Sequence, residues 1–500
     1  MAYDTECGAG SSENGQSSQG QDYFKIGSSS LTKVNRFELL RQWLLRCDTE
    51  HQCSRRDRQT WPARAIFLGE TYSDILKLEE LTGHVEYIAL SHCWGTPSRK
   101  DRLRHCTHSD NYNDRLKEFS SKDLPKVFQD AIRVTRELGK QFLWIDAICI
   151  IQEDPGDWKE QGSKMEEVFA SAYCTIASSS ASDWQKGFLK RTQAKIQSNK
   201  GYSGDKDTDE FRDLVDNSPL NNRAWVLQER ALSRRTIFFT TQQTYIECGK
   251  GVYCETFSRL DCPVTRSYLT DPAFPHKLQS SGYVSTMAFV QELVTDYCHR
   301  RLSFPTDKVI AFSSLAKRME KVLRTEERYG IFDCFLPRLL LWKRLDRKLA
   351  PIEYKDPVPS WSWMAYDGCI GFLAEPELTL LFPRSTELSF DTHYCRLNIK
   401  IRAFENCRLD KDLENGKCRV FANKTEVGSL WFDKDAEDQI KSLKCVVVAT
   451  RKHDDYGDPD KKYYVLVVRA RRLEGKYERL GVGQIQAHYV SKNYIPGKLL

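Results

Sequence analysis

The stretch from Tyr87 to Leu189 constrains this chain more than any other. It opens with Tyr87-Ile-Ala-Leu-Ser-His-Cys-Trp-Gly95, runs through Leu124 to Gly139 and Phe142 to Gln152, and includes Met165 to Ala177. Two apolar runs, Tyr87 to Leu90 and Phe142 to Ile151, are too short for a membrane span and lack helical period, so they read as buried strands. Between them Val127, Ala131, Ile132, Val134 and Leu138 recur near helical spacing, entered at Pro125 and ended by Gly139. Strands separated by single helices imply a parallel sheet. The pattern predicts a three-layer α/β domain with strands near 87–90, 142–146, 173–178 and 236–240. Ligands of such sheets bind beyond the carboxyl ends of the strands. Here those ends carry Ser91-His92-Cys93-Trp94-Gly95 and Asp146. A buried strand does not need a polar, aromatic, Gly-terminated loop in order to fold, which makes these ends the first place to look for a site.

Five hundred residues imply more than one domain. A net charge of +6, from 75 basic and 69 acidic residues, argues against a dedicated nucleic-acid binder, and Arg55-Arg56 and Arg469-Ala-Arg-Arg472 read as solvated surface. The odd count of 17 Cys shows no disulfide-scaffold pattern and no hydrophobic leader precedes it, so a cytoplasmic protein with reduced thiols is expected. No apolar run reaches spanning length.

Residues 1–30, rich in Ser, Gly and Gln, are expected to be disordered. Residues 31–86 form a helical and extended lead-in, with Phe37, Leu40, Trp43 and Leu44 at helical spacing. The α/β unit covers 87–265, with a polar inserted loop near 192–215. Residues 280–500 read as helical first and β-rich from about 385. That C-terminal part carries no catalytic constellation and is expected to pack on the α/β unit as a regulatory or recognition half. Trp361-Ser-Trp363 reads as a packing corner.

The blocks Leu90-Ser-His-Cys-Trp-Gly95, Leu143-Trp-Ile-Asp-Ala-Ile-Cys-Ile-Ile-Gln152, Met165 to Ala172 and Leu220-Asn-Asn-Arg-Ala-Trp-Val-Leu-Gln-Glu-Arg230 together resemble the heterokaryon incompatibility (HET) domain of filamentous fungi. Cys47 to Cys53, Tyr297 to Ala316, Tyr329 to Trp342, Pro359 to Trp363 and Tyr477 to Gly481 resemble regions that flank that domain. The resemblance implies self/non-self recognition after cell fusion, with growth arrest or programmed cell death as the outcome, and protein partners or self-association.

The HET domain is in turn similar to the Toll/interleukin-1 receptor (TIR) fold, a flavodoxin-like parallel sheet, and some TIR domains cleave NAD with a glutamate as the key catalytic residue. Tyr87 to Ser91 resembles the first TIR strand, and Thr175 to Ala181 the later strand that ends in a Ser-rich turn. Trp225-Val-Leu-Gln-Glu229-Arg230 resembles the Trp-Cys-x-x-Glu-Leu helix of plant-type TIR domains, and Ile237 to Thr240 the next strand. The chain departs from that pattern where Val226 replaces the cysteine and where an insertion precedes Arg223. The resemblance implies an alternative activity, hydrolysis of NAD as a substrate.

Several residues carry two readings each. Glu229 is either a catalytic carboxylate that stabilises an oxocarbenium-like state at the ribose, or a helix-orienting partner of Arg223 or Arg230. Asp146 is a site carboxylate or a turn cap. His92 is a general base or a loop histidine. Trp94 is a stacking face or a core ring. With Ser91 and Arg223, the latter offering a charge for phosphate, these residues are expected to line a nucleotide-sized cleft. Cys93 and Cys149 lie nearby, but nothing in the sequence lowers their thiol pKa. Cys47, His51 and Cys53 form C-x3-H-x-C, which lacks a local fourth ligand, so metal-free structural use is expected there. Neither G-x-G-x-x-G nor G-x-x-x-x-G-K-[ST] occurs, which counts against a Rossmann oxidoreductase or a P-loop ATPase.

Overall fold

The computed structural model describes residues 35–500 except 52, 54–59, 71–72, 192–203, 257, 261–268, 270, 272–273, 346–348, 375–377, 383–386, 394, 412–416, 435–441, 452–460 and 473. The expectation for residues 1–30 lies outside the described residues.

The first elements are helix α1 (Arg36–Arg46), β1 (Arg64–Phe67), β2 (Ile75–Glu80), β3 (Tyr87–Ser91), α2 (Arg99–His105), α3 (Tyr112–Lys117) and β4 (Phe119–Ser120). There follow α4 (Lys126–Glu137), β5 (Phe142–Trp144), α5 (Asp146–Cys149), α6 (Pro155–Ser171), β6 (Cys174–Ala177) and α7 (Gly204–Phe211). Then come α8 (Ala224–Leu232), β7 (Arg235–Phe239), β8 (Thr244–Cys248), β9 (Gly251–Tyr253), α9 (Tyr283–His299) and α10 (Lys308–Leu323).

Strands β1 to β9 form one nine-stranded sheet in the order β4-β2-β1-β5-β3-β6-β7-β8-β9. Its centre, β5-β3-β6-β7, is parallel throughout, with Ile88 opposite both Leu143 and Cys174 and Ile176 opposite Ile237. All five residues of β3 and all four of β6 are buried, as expected for strands covered on both faces. The four strands predicted from the apolar runs thus share one sheet. Numbered by chain order among themselves they lie 2-1-3-4, so the direction of travel reverses between β3 and β6. The antiparallel margins β1-β2 and β8-β9 were not foreseen; β2 hides only Leu76 and Leu78 fully, too weak an alternation to stand out.

Helix α4 forms where the spacing placed it. Pro125 supplies a fixed φ at the N-cap, and Gly139 ends the helix at φ +72°, a conformation that favours glycine. Val127, Phe128, Ala131, Ile132 and Val134 face the sheet. Asp130 is buried on the same helix because its carboxylate accepts from the backbone amides of Phe188 and Leu189 and from Lys126 Nζ. A loop was expected across 192–215, but its described part is helical: α7 continues into a wider turn at Arg212–Asp216, and Phe211 and Val215 are buried.

The C-terminal part is α-helical, then β-rich. Helices α9 and α10 pack directly against α8, and one apolar core runs from Phe37 to Leu499. Trp361 and Trp363 are fully buried, and the ring of Trp363 meets Tyr297 of α9 and Phe312 of α10 edge-on. Gly330 is required beside them: its φ is +80°, and a Cβ there would lie 2.5 Å from the Trp363 ring.

In the β-rich part, Lys444–Arg451 pairs with Leu397–Ala403, that strand with Ile495–Leu499, that with Lys476–Gln486, that with Lys462–Ala470, and that again with Lys444–Arg451. The pairings return to their start, so the sheet closes on itself and hides those edges. Val446, Val448, Leu466 and Val468 join the main core, while Cys445, Val465 and Val467 join a second one. Arg479 ties this sheet to the rest. It is buried, bonds Asp433 at 2.9 Å, donates to the carbonyls of Leu340 and Trp342, and lies on the Trp342 ring.

Candidate functional site

Beyond the carboxyl ends of β3 and β5, the chain gathers six polar or aromatic residues into one connected network. Ser91 ends β3, and its Oγ donates to Glu229 Oε2 at 2.5 Å. Glu229 comes from α8, a helix in which every residue but Trp225 is buried. Arg223, the N-cap of α8, donates through Nη1 to the carbonyl of His92. His92 Nδ1 lies 3.7 Å from Asp146 Oδ1, and Trp94 Nε1 donates to Asp146 Oδ2 at 2.9 Å. Ser91, His92, Trp94, Asp146, Arg223 and Glu229, chosen from the sequence, therefore meet.

The two readings of each residue can now be compared with its partners. Arg230 is committed elsewhere, to Glu247 at 2.7 Å through two bonds and to Asp216 at 2.7 Å. Arg223 acts on Glu229 through charge, while its Nη1 serves His92. Ser91 is thus the one hydrogen-bond donor to the Glu229 carboxyl among the described residues. Burial pushes that carboxyl up to about 7. The charges of Arg223 and Arg300 and the Ser91 hydrogen bond oppose the shift, and the charge of Asp146 adds to it. Such a group exchanges its proton near neutrality.

Asp146 opens α5, whose N-cap is Ile145: its Oδ1 accepts from the adjacent Ala147 amide at 2.7 Å, and the same carboxyl accepts from Trp94. His92 is pushed down to about 4, chiefly by burial and further by Arg223, against the pull of Asp146. It is a neutral imidazole, and its Nε2 is buried without a hydrogen-bond partner. It faces Asp146 while the Ser91 hydroxyl faces Glu229, so the Ser–His contact of a hydrolase triad is not formed. Burial pushes the thiols of Cys93 up to about 11 and Cys149 up to about 12, which keeps both unreactive at neutral pH.

Three participants carry little signal in the sequence. Trp184 stacks on Trp94 at 5.5 Å, and His92 stacks on the same indole at 6.3 Å, so Trp94 is already engaged with two rings. Asp183 caps the turn into Trp184 and packs so close to Gly95 (φ +69°) that a Cβ there would lie 2.5 Å from the Asp183 Cβ. Arg300 donates to the Asn221 carbonyl at 2.6 Å and places its charge near Glu229. Trp184 and Asp183 lie within the motif-bearing stretch but outside its quoted blocks, and Arg300 lies 79 residues from Asn221.

One cavity borders the network and a second lies near it. The first, touching Ser91, Ser179, Asn221 and Arg230, holds about 10 Å³, room for one water and not for a nucleotide. The other, about 680 Å³, lies between the 216–222 segment and α9 and is lined by Asn221, Asn222, Gln291, Glu292, Asp296 and Arg300 among others. Asn221 borders both, and Arg300 joins the larger cavity to Glu229 electrostatically.

A family model described as heterokaryon incompatibility protein (HET) matches residues 87–229. Its span opens with β3 and ends on Glu229, so it encloses all six residues of the network. Residues 87–229 of the chain thus match a HET domain. No curated protein and no solved structure matches it. No helix among the described residues is long and apolar enough to cross a membrane.

Proposed function

We propose that this protein is a self/non-self recognition effector whose HET domain arrests growth or kills the cell through protein partners or self-association, and whose C-terminal half restrains it. The observation that carries this reading is the seating of α8. The helix that brings Glu229 to the network packs on α6 of the HET domain and on α9 and α10 of the C-terminal half. The seam is closed by ordinary contacts: Ala224 N donates to the Arg301 carbonyl at 2.9 Å, Arg301 N to the Asn222 carbonyl at 2.7 Å, and Arg318 of α10 pairs with Glu166 of α6 at 2.9 Å. Loosening this seam frees α8 without touching the network. The test is inducible expression of the full chain in a filamentous fungus, wild type against Arg318→Glu at matched abundance. Stronger growth arrest by the variant supports restraint; equal or weaker arrest by a folded variant removes it.

A second reading, TIR-like hydrolysis of NAD, draws support from the 2-1-3-4 order of the parallel strands, which is the flavodoxin-like order, and from the buried carboxyl of Glu229 near neutrality. In this reading Glu229 stabilises the positive charge developing on the ribose, and Arg223 meets a phosphate. The closed cavity beside Ser91 then requires α8 or the Trp94 loop to move before a nucleotide enters. Consumption of NAD by purified full-length protein, with and without forced oligomerisation, and its loss in Glu229→Gln, test this reading. Equal NAD levels with wild type and variant in both states leave the signalling module alone.

A further inference from the structure

At the opposite end of the parallel strands lies a cluster that the HET reading does not use. Cys47 follows α1, and Cys47, His51 and Cys53 fall within seven consecutive residues. The fourth ligand type, missing locally, arrives from the end of β8. The Sγ atoms of Cys47, Cys53 and Cys248 lie within 4.8 Å of one another. Cys248 Sγ lies 3.5 Å from His51 Nδ1, a contact between residues 197 positions apart. On a tetrahedral zinc with Zn–S of about 2.3 Å and Zn–N of about 2.0 Å, donor atoms sit about 3.5–3.8 Å apart. The three sulfurs are therefore within about an ångström of the edges that such an ion needs, and His51 meets that cluster through Cys248 at one such edge.

The surroundings suit thiolate ligands. Backbone amides aim at the sulfurs: Lys250 N donates to Cys248 Sγ at 3.4 Å, and the Gly249 amide to Cys53. Both come from the turn between β8 and β9. The imidazole of His51 is held in plane by Tyr253, stacked at 5.7 Å and 23°, and by Trp43 edge-on at 6.4 Å. An outer shell that fixes ring orientation in this way is what metal-bound histidines have. Three thiolates and one neutral imidazole leave a zinc complex with one net negative charge. Arg235, buried beside it, bonds the carbonyl of Leu44 and pairs with Asp48 at 2.7 Å, and its charge reaches Cys47. Cysteines used only as small apolar residues have no need to converge sulfur on sulfur with an imidazole nitrogen.

We infer that Cys47, His51, Cys53 and Cys248 form a structural Cys3His zinc site that staples the end of α1 to the β8–β9 hairpin. With four protein donors the coordination is closed, which is the arrangement of a structural rather than a catalytic zinc. Binding expels the thiol protons and contributes directly to folding.

The test uses untagged full-length protein. Elemental analysis is expected to find one zinc per chain, and Co²⁺ exchanged into the site should give thiolate-to-cobalt charge-transfer absorption with the intense visible bands of a tetrahedral centre. Cys248→Ser should lose most of the bound zinc, whereas Cys418→Ser, at a buried cysteine outside the cluster, should keep it. A chelator should lower the Tm of wild type and not that of Cys248→Ser. If Cys248→Ser fails to fold, the Co²⁺ spectrum of wild type decides alone. Wild-type protein that takes up neither Zn²⁺ nor Co²⁺ under reducing conditions, or that keeps a disulfide between two of the three cysteines after such treatment, overturns the assignment.

Discussion

At the amino ends of β6 and β7, Arg235 is held by the carbonyls of Tyr173 and Leu44 and by Asp48, and lies over the Tyr173 ring at 4.2 Å. At the carboxyl end of β3, Glu229 is as deeply buried but receives one hydroxyl donor, Ser91, at 2.5 Å. The first charge is paired with a carboxylate, although its Nη2 is buried without a partner; the second is left to settle its protonation against burial. The contrast teaches where to look for chemistry. A buried group whose charge is matched reports on architecture, whereas one left short of partners, with its pKa moved toward neutrality, is a candidate for chemistry.

The sharpest way to break this comparison is to remove the matched charge. Arg235→Ala strands Asp48 and two carbonyls and should cost about 3–5 kcal/mol, read by chemical denaturation. A loss below about 1 kcal/mol would place Arg235 among dispensable surface charges. Glu229→Gln should act in the opposite direction. Near pH 4 the carboxyl is protonated in both folded and unfolded chains. Between about 4.5 and about 7 only the unfolded chain ionises appreciably, so wild-type stability from this group falls as pH rises and levels off above about 7. The Gln variant carries no such penalty. Its advantage over wild type should grow across that window to roughly 3 kcal/mol at most, followed as ΔΔG against pH. A flat difference would show that Glu229 is solvated or paired after all.

Gly95→Ala should cost about 1–3 kcal/mol, since the position combines φ +69° with a Cβ clash at Asp183; a Tm shift from wild type measures it. Asp146→Asn should change stability by less than about 1 kcal/mol, because the amide oxygen still accepts from Trp94. Its effect belongs to His92, already pushed down to about 4 by burial. Without the Asp146 charge, the imidazole should titrate lower still, as read from its NMR shifts.

Much of this contrast was legible beforehand. Continuous apolar runs betray strands buried on both faces, so β3, β5, β6 and β7 stood within a residue or two of their predicted places. The loop Ser91 to Gly95 announced itself because no strand needs it. What stayed hidden were partners brought together only by the tertiary fold. Cys248 comes beside a motif that looked one ligand short, Arg300 reaches Glu229 from beyond the family match, and Trp184 covers Trp94. Residues 204–216 misled because their charged composition conceals the two anchors, Phe211 and Val215, that hold them as helix. For Glu229, the sequence offered a partner in Arg230, but that guanidinium serves Glu247 and Asp216.

The enclosure of α8 also governs the order in which the chain can mature during synthesis. Its sequence is complete at Leu232, yet two of the helices that cover it end only at His299 and Leu323. On a ribosome the sheet can begin to assemble while Leu227, Glu229 and Arg230 still await their covering layer, and domains generally fold N-terminal first. For about ninety residues of translation, several seconds at ordinary elongation rates, the helix in which the HET match ends stands open. A nascent or truncated chain therefore presents to the cell the surface that the finished protein conceals.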